Sequence, residues 1–165
     1  MAAAYPGAPE SIPDIISAYE KQIEELEAAV RDMTPDQFRA RPVLGKWTTL
    51  ELLCHIADSE QVLADRLKRA IAQPNTLMMA YDESRYVTEL AYDRRSPSEE
   101  LALIRATRMQ MLRILRALPA DAWTRAAVHS ERGLNTVKDL AQTAVGHTKH
   151  HLPFLLEKRK ALGLS

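Results

Sequence analysis

A chain of 165 residues, with 46% hydrophobic and 27% charged residues, is long enough to bury one core and too short for two, so we expect a single domain over residues 1–165. Lys and Arg together number 22, as do Asp and Glu, and this balance provides no net field that would attract nucleic acid or an anionic membrane. The first residues form no basic and apolar leader, and no apolar stretch approaches the ~20 residues that a membrane span requires. We therefore expect a cytoplasmic protein whose only cysteine, Cys54, is a small buried side chain.

The first predicted helix begins at Ile12 and ends near Met33. Its apolar residues alternate between spacings of four and three, which is typical of the seam of a helix bundle. They are Ile12, Ile16, Tyr19, Ile23, Leu26, Val30 and Met33. Thr34 and Pro35 follow as the N-cap and first residue of a short helical turn, which we expect in the connection to the next helix.

The second predicted helix begins after Thr48, which has the spacing of a capping box with Glu51. It ends at about Ala72, because the Pro-Asn pair that follows breaks the helical pattern. A long loop over residues 74–95 comes next, and loops of this length are often functional. Its candidate substrate-contacting side chains are Tyr81, Asp82, Glu83, Tyr86 and Tyr92.

The third and fourth predicted helices complete the domain. The third begins at Ser96 and carries Arg108 on its apolar stripe, whereas the fourth begins at Thr136, has Asp139 at its third position and ends before Gly163. Strands are not predicted, because glycine is scarce and the long segments have helical periodicity. We therefore predict an all-α fold, a four-helix bundle with short extra helical turns in its loops.

Three histidines have the spacing of one metal site. His147 and His151 lie one turn apart on the apolar face of the fourth helix, and His55 lies on a half-apolar face of the second, so all three rings are expected to point inward. Each is alternatively an ordinary core histidine, and His150 competes with His151 as a ligand. Three neutral nitrogens with open positions suit one divalent ion such as Zn²⁺ or Ni²⁺.

Charged residues near these histidines are candidates for chemistry. Asp58, one turn beyond His55, can orient a ligand or act as a catalytic base, although a solvated helix carboxylate is the plainer interpretation. Arg66 and Arg108 can hold an anionic substrate group or form salt bridges within the bundle. Thr148 occupies the place of the glutamate in an HExxH motif, so the chain is not a zinc protease of that type.

Three segments also resemble a known family: KWTTLELLCHIADSEQVLADRLK, MMAYDESRY and HSERGLNTVKDLAQTAVGHTKHH. The chain resembles the DinB-like superfamily of four-helix-bundle metalloenzymes over nearly its whole length, and looks most like the branch that contains bacillithiol S-transferases of the YfiT type. The resemblance implies an up-down-down-up bundle, frequent homodimers and a metal at one end of the core. Its three metal-binding positions correspond to His55, His147 and His151.

Two features depart from the family pattern. The residues before His147 read AVG where close relatives are expected to have an aromatic residue, and Pro153 lies within the last predicted helix. A proline there removes a backbone donor and is expected to affect the final turns.

Together these observations predict a metal-dependent enzyme that transfers a low-molecular-weight thiol to a small electrophile. A hydrolase that uses metal-bound water is the close alternative. A non-catalytic, metal-stabilised bundle that binds a partner or acts in a stress response is the alternative from another class. A bundle whose histidines belong to the core and whose function lies in a dimer surface is the third.

Overall fold

The computed structural model describes residue 5 and residues 7–164. The predicted helices are confirmed, and the described part of the chain forms six α-helices and three short strands. The helices are α1 Ile12–Val30, α2 Pro35–Arg39, α3 Thr49–Ala72, α4 Glu83–Glu89, α5 Pro97–Arg116 and α6 Val137–Ala161. The first helix ends three residues before the predicted Met33, because Asp32 adopts a left-handed conformation with φ of 61°.

Side chains at the N-termini explain where most of these helices begin. Thr34, Thr48 and Thr136 each form a capping box with the third residue of the following helix. Ser96 is the N-cap of α5 but makes no capping bond, because its hydroxyl pairs with that of Ser98 at 3.0 Å. The helix starts that the sequence predicts are therefore reproduced, and at three of them by the bonds expected.

The directions of the long helices α1, α3, α5 and α6 follow from the register of their contacts. In the contacts between α1 and α5, residue numbers rise along one helix as they fall along the other, so these helices are antiparallel. The same holds for α3 and α6. In the contacts between α1 and α6, residue numbers rise along both helices, so these two are parallel. The pairs are Glu20–Arg116 and Glu27–Arg105, then Glu60–Thr148 through Arg108 and Leu52–Lys158 in one pocket, and finally Gln22–Val145 and Arg31–Arg159. The bundle is therefore up-down-down-up.

The connection between α3 and α5 must travel back along the bundle, because these two helices run in the same direction. It contains β1 (Leu77–Met78), α4 and a single 3₁₀ turn at Tyr92–Arg94. β1 pairs in parallel with β2 (Ala126–His129), which pairs antiparallel with β3 (Gly133–Thr136). The all-α fold class is confirmed, and this small sheet is a feature that the sequence did not predict. Its strands of two to four residues are too short to show alternation in the sequence.

Buried polar residues lie between two apolar clusters of the core. One cluster contains Ile15, Leu67 and Met111, and the other contains Leu26, Leu53 and Ile104. We call the buried polar residues at the level between them the polar layer: Gln22, His55, Asp58, Ser59, Glu60, Arg108, His147 and Thr148. All four long helices contribute to it. No helix in the described part of the chain is long and apolar enough to cross a membrane.

Candidate metal centre

The structure brings His55, His147 and His151 together within the polar layer. His55 lies in the second turn of α3, and the other two lie one turn apart in the middle of α6. The three Nε2 atoms form a triangle whose sides are each 3.1 Å. His55 and His147 are buried, with 1% and 6% exposure, and His151 is half-buried. Helical periodicity thus predicted that the three rings point inward, and the structure places their Nε2 atoms 3.1 Å from one another.

Hydrogen bonding among the histidines cannot account for this triangle. A neutral imidazole presents either an N–H or a lone pair at Nε2. Three nitrogens that each have one of two forms include at least two of the same form, so at least one side of the triangle joins two donors or two acceptors. Such a pair at 3.1 Å gains no hydrogen bond. The arrangement therefore suits a group that all three nitrogens can approach at once.

The donor set and spacing fit a divalent transition-metal ion. Two nitrogens at about 2.0–2.1 Å from one ion lie about 2.9 Å apart at a right angle and about 3.3 Å apart at the tetrahedral angle. The observed separations of 3.1 Å fall between these values. Imidazole nitrogens are ligands that zinc and nickel accept readily. The three residues present can therefore hold such an ion while leaving other coordination positions open.

Burial keeps the three imidazoles in the form that a metal requires. Burial lowers the pKa of His147 well below its usual value, and the neighbouring imidazoles of His151 and His55 add to the effect. Burial also lowers the pKa of His151 to about 3, again helped by His55. The pKa of His55 is lowered by burial, against the opposing effect of Glu83 and Asp58. All three rings are thus neutral at pH 7, with a lone pair available.

Aromatic rings enclose the cluster on two sides. The ring of Trp47 lies 5.2 Å from that of His55, and the ring of Tyr5 meets that of His147 edge-on at 5.8 Å. Tyr5 occupies the space above Gly146, where an added Cβ would lie only 2.5 Å from the Tyr5 Cβ. This contact explains the AVG sequence, since the absence of a side chain on α6 makes room for an aromatic ring from the N-terminal segment.

His150, the competing ligand, lies outside the cluster. It is exposed, and its ring contacts Tyr5 at 5.7 Å and His151 at 4.9 Å. Pro153 also leaves the ligand positions intact, because α6 continues through it to Ala161.

The structure places Asp58 in an ionic network of its own, one turn along α3 from His55. Its two carboxylate oxygens accept hydrogen bonds from the two terminal nitrogens of Arg95, each at 2.9 Å, and one also accepts from the Tyr92 hydroxyl at 2.7 Å. Arg95 in turn pairs with Glu100. Both oxygens of Asp58 are thus engaged, so proton abstraction by this residue would require breaking bonds that hold the 3₁₀ turn to the bundle.

Arg108 and Arg66 have different surroundings. Arg108 is fully buried and donates to Glu60, to the carbonyl of Tyr19, to the Gln22 side chain and to the Thr148 hydroxyl. It therefore belongs to the salt-bridged interior, where four of its five N–H groups already bind protein acceptors. Arg66 donates to the Met79 carbonyl at 2.6 Å and lines a cleft beside the histidines.

This cleft is polar and has a volume of about 410 Å³. His147 lies in its wall, together with charged residues of both signs: Arg66, Asp82, Glu83, Glu131 and Arg132. The Tyr81 hydroxyl is 2.7 Å from the Ser59 hydroxyl, which ties the crossover segment to α3 at this point.

Glu83 is the residue whose position the sequence did not predict. The sequence placed it among several polar residues of a long loop, without a particular role. In the structure it is the first residue of α4, and its carboxylate lies 3.9 Å from His55 Nε2, with 61% of the side chain exposed. Asp82, the N-cap of α4, fixes this position by accepting bonds from two backbone amides. The N-cap pattern of Asp82 was the available signal for α4, but nothing in the sequence indicated where α4 would dock.

A second, smaller pocket opens beside His151, and its lining shares no residue with that of the polar cleft. It has a volume of about 200 Å³, and His151 lies in its wall with Trp47, Leu52, Phe154 and Lys158. The three histidines are therefore reached from two sides, through a polar cleft at His147 and a largely apolar pocket at His151.

Comparisons with known sequences give matches over most of the chain. The family model described as the DinB superfamily matches residues 18–155. A protein of Oceanobacillus iheyensis named "Putative metal-dependent hydrolase OB0782" is 32% identical over an alignment of 153 residues, and the match covers 88% of each chain. The Bacillus subtilis protein named "Putative metal-dependent hydrolase YfiT" is 25% identical over 151 residues, which is 91% of this chain and 85% of that protein.

Comparisons with solved structures agree with the fold. YfiT from Bacillus subtilis, described as having an unusual four-helix bundle topology, superposes over 100% of both chains with a TM-score of 0.86 and 24% identity. A mycothiol-dependent maleylpyruvate isomerase has a TM-score of 0.71 and 14% identity, over 88% of this chain and 60% of that one. These two likenesses establish the architecture of the bundle.

Proposed function

The chain belongs to the DinB superfamily, and we propose that it is a metal-dependent enzyme which transfers a low-molecular-weight thiol to a small electrophile. His55, His147 and His151 would hold one divalent ion, Zn²⁺ or Ni²⁺. The observation that carries this proposal is the triangle of neutral Nε2 atoms at 3.1 Å. The names of the relatives, which describe metal-dependent proteins, support the metal.

The metal would supply one kind of chemistry. A divalent ion held by neutral ligands lowers the pKa of a thiol or water molecule bound to it, so that a nucleophile is available at neutral pH.

Glu83 is the residue best placed to receive the proton that is released. Its carboxylate is the nearest one to the ligand nitrogens, at 3.9 Å from His55 Nε2, and it remains largely exposed and free to move. In the proposed reaction Glu83 accepts the thiol proton, the sulfur forms a bond to the electrophilic carbon, and the leaving group departs with its electron pair. Asp58 would act indirectly, by holding Tyr92 and Arg95 against α3.

The two openings support a reaction between two substrates. The polar cleft at His147 has arginines and carboxylates in its walls, which suit a hydrophilic thiol that carries charges of both signs. The pocket at His151 is separate and mostly apolar, which suits a different molecule. A site that used water as its nucleophile would need a pocket for only one substrate. A structurally similar protein described as mycothiol-dependent also supports thiol chemistry in this fold.

Hydrolysis is the second candidate, and the names of the relatives favour it. The same three histidines and Glu83 would serve, with water in place of the thiol. The two candidates differ in one respect that can be measured, since hydrolysis proceeds without any added thiol.

The test is a conjugation assay on protein reconstituted with Zn²⁺ or Ni²⁺. The acceptor is 1-chloro-2,4-dinitrobenzene, and the thiols are cysteine, glutathione, coenzyme A and bacillithiol. We expect turnover with at least one thiol, a loss of at least about 100-fold in His147→Ala, and little change in His150→Ala, the neighbouring histidine outside the cluster. Glu83→Gln should retain its metal and lower kcat by about 100-fold or more, as expected for a proton acceptor.

Three results would contradict the proposal. Equal rates for metal-free and metal-loaded protein would remove the metal from the reaction. If thiols had no effect while metal-loaded protein cleaved activated esters, the enzyme would be a hydrolase. Stabilisation by metal with neither activity would favour the non-catalytic bundle.

A further inference from the structure

The small pocket on the His151 side has a cationic side chain, Lys158, in its wall. Lys158 lies on α6, two turns beyond His151, and the residue is only 2% exposed. Within the part of the chain that the structure describes, its ammonium group makes no hydrogen bond or ion pair. Burial lowers the pKa of this lysine, and the nearby charges of Lys46 and Arg41 lower it further, against Glu157 and Glu51.

The two nearby carboxylates do not neutralise Lys158. Glu51 accepts hydrogen bonds from Arg41 at 2.7 Å and from the backbone amide of Thr48 at 2.7 Å, so both of its oxygens are already engaged. Glu157 is exposed to solvent on the next position of the helix. The side chain of Lys158 is packed within the protein, whereas its ammonium group faces a pocket that has no carboxylate among its lining residues. A cation in such surroundings favours an anionic ligand.

The walls of the pocket define the rest of a ligand. Trp47, Leu52 and Phe154 provide apolar surface, and the volume is about 200 Å³. An apolar cavity of about 150 Å³ is known to hold benzene, so a body of ring size fits this space. Among the described residues in its lining, the charged ones are Lys46 and Lys158, and no carboxylate is present. The polar cleft on the other side differs in this respect, because Asp82, Glu83 and Glu131 line it.

We propose that this pocket binds a small carboxylate with a ring-sized apolar body, whose anionic group pairs with Lys158 and whose body packs between Trp47 and Phe154. One consequence of this inference rests on the proposed function: the molecule bound here would be the electrophilic substrate, held beside His151 and the metal centre. The binding itself depends only on residues of this chain. Lys158 is therefore a specificity-determining residue, outside the metal ligands and outside the polar cleft.

The experiment measures binding through the fluorescence of Trp47. Trp47 and Trp123 are the two tryptophans of the chain, and Trp123 is buried in the other apolar cluster, so Trp123→Phe leaves Trp47 as the reporter. Benzoate is the probe and benzyl alcohol is its neutral analogue. We expect saturable quenching by benzoate, a Kd at least tenfold higher in Lys158→Met, a Kd near wild type in Lys158→Arg, and little effect of Lys158→Met on benzyl alcohol.

Lys160→Met is the matched control. Lys160 is exposed on the same helix, outside this pocket, so its removal should leave the Kd for benzoate unchanged. Methionine matches the length of the lysine stem and removes a buried charge, so the Lys158 variant should fold; its thermal melting is measured to verify this.

Titrations of metal-free and Zn²⁺-loaded protein separate this inference from the proposed function. We expect the dependence on Lys158 in both forms. If benzoate bound only the Zn²⁺-loaded protein and Lys158→Met changed nothing, the carboxylate would be on the metal and the inference would be overturned. Equal binding of benzoate and benzyl alcohol, or no binding of benzoate, would also overturn it. Lys158-dependent binding without thiol transfer would instead reject the proposed function and retain the pocket.

Discussion

Replacing Arg108 by methionine is the substitution that best tests how the polar layer is held together. Arg108 is fully buried, and its guanidinium donates to four groups, one of which is the carboxylate of Glu60. Glu60 is 3% exposed and keeps only the Tyr19 hydroxyl when the arginine is removed. Arg108→Met therefore leaves a buried carboxylate without its cation.

Breaking a buried ion pair from one side costs about 3–5 kcal/mol. The free energy of unfolding of a domain is about 5–15 kcal/mol. If the wild-type value lies in the lower half of this range, the variant should lose about a third or more of it. Adding Glu60→Gln to Arg108→Met should restore part of the loss, because the amide is neutral and still accepts from Tyr19. The surface pair Arg105–Glu27 provides the control. Its two hydrogen bonds are both 2.7 Å long, but both side chains are partly exposed, so Arg105→Met should cost far less stability than Arg108→Met.

The assay is urea denaturation of metal-free protein, followed by circular dichroism, with the m-values compared among wild type and the three variants. A loss below about 1 kcal/mol in Arg108→Met would refute a structural ion pair. A stable variant that lost thiol transfer would show instead that Arg108 holds the substrate, which is the other role that the sequence allowed.

Three further predictions concern the surroundings of the histidines. Gly146→Ala should displace Tyr5 from α6, because the new Cβ would lie 2.5 Å from the Tyr5 Cβ; increased hydrogen exchange of the N-terminal segment with unchanged metal content would verify this, and unchanged exchange would contradict it. Cys54 should resist iodoacetamide in the native protein at pH 8 and react only on unfolding, since burial raises its pKa to about 12; rapid labelling in the native state would contradict this. Metal-free protein should lose stability as the pH falls below about 6.5, the pKa of histidine in the unfolded chain, because the pKa values of His147 and His151 are lower in the folded state and the unfolded state therefore binds more protons. Equal unfolding free energies at pH 7.5 and pH 5 would contradict this. A variant lacking both imidazoles should show a weaker dependence on pH.

The sequence predicted the helices well because their signals are local. Capping threonines at residues 34, 48 and 136 and apolar spacing along each helix depend on neighbours within a few positions, and the structure reproduces them. The small sheet had no such signal. Its strands are held by pairing between Leu77–Met78 and a segment some fifty residues away, and pairing across that distance leaves no trace in a short window of sequence.

The candidate site divides in the same way. The face shared by His147 and His151, and the inward direction of His55, follow from helical periodicity, so the three residues could be selected before any coordinates. Glu83, Tyr5 and Lys158 could not be assigned their positions. Glu83 begins the short helix α4 and Tyr5 lies in the N-terminal segment, and where each contacts the bundle depends on tertiary docking. Lys158 lies beside a pocket whose other wall is the loop before α3. The metal-ligand roles of His55, His147 and His151, like the homodimer implied by the family, stay predictions.

The most direct test of the metal centre is elemental analysis of untagged protein after reconstitution with Zn²⁺ or Ni²⁺ and removal of excess ion. Wild type and His150→Ala, the exposed neighbour, should each retain about one ion per chain, and His55→Ala, His147→Ala and His151→Ala should each lose most of it, because all three nitrogens lie 3.1 Å apart around one point. Wild type without bound metal, or metal that remained in all three variants, would contradict a site built from these histidines.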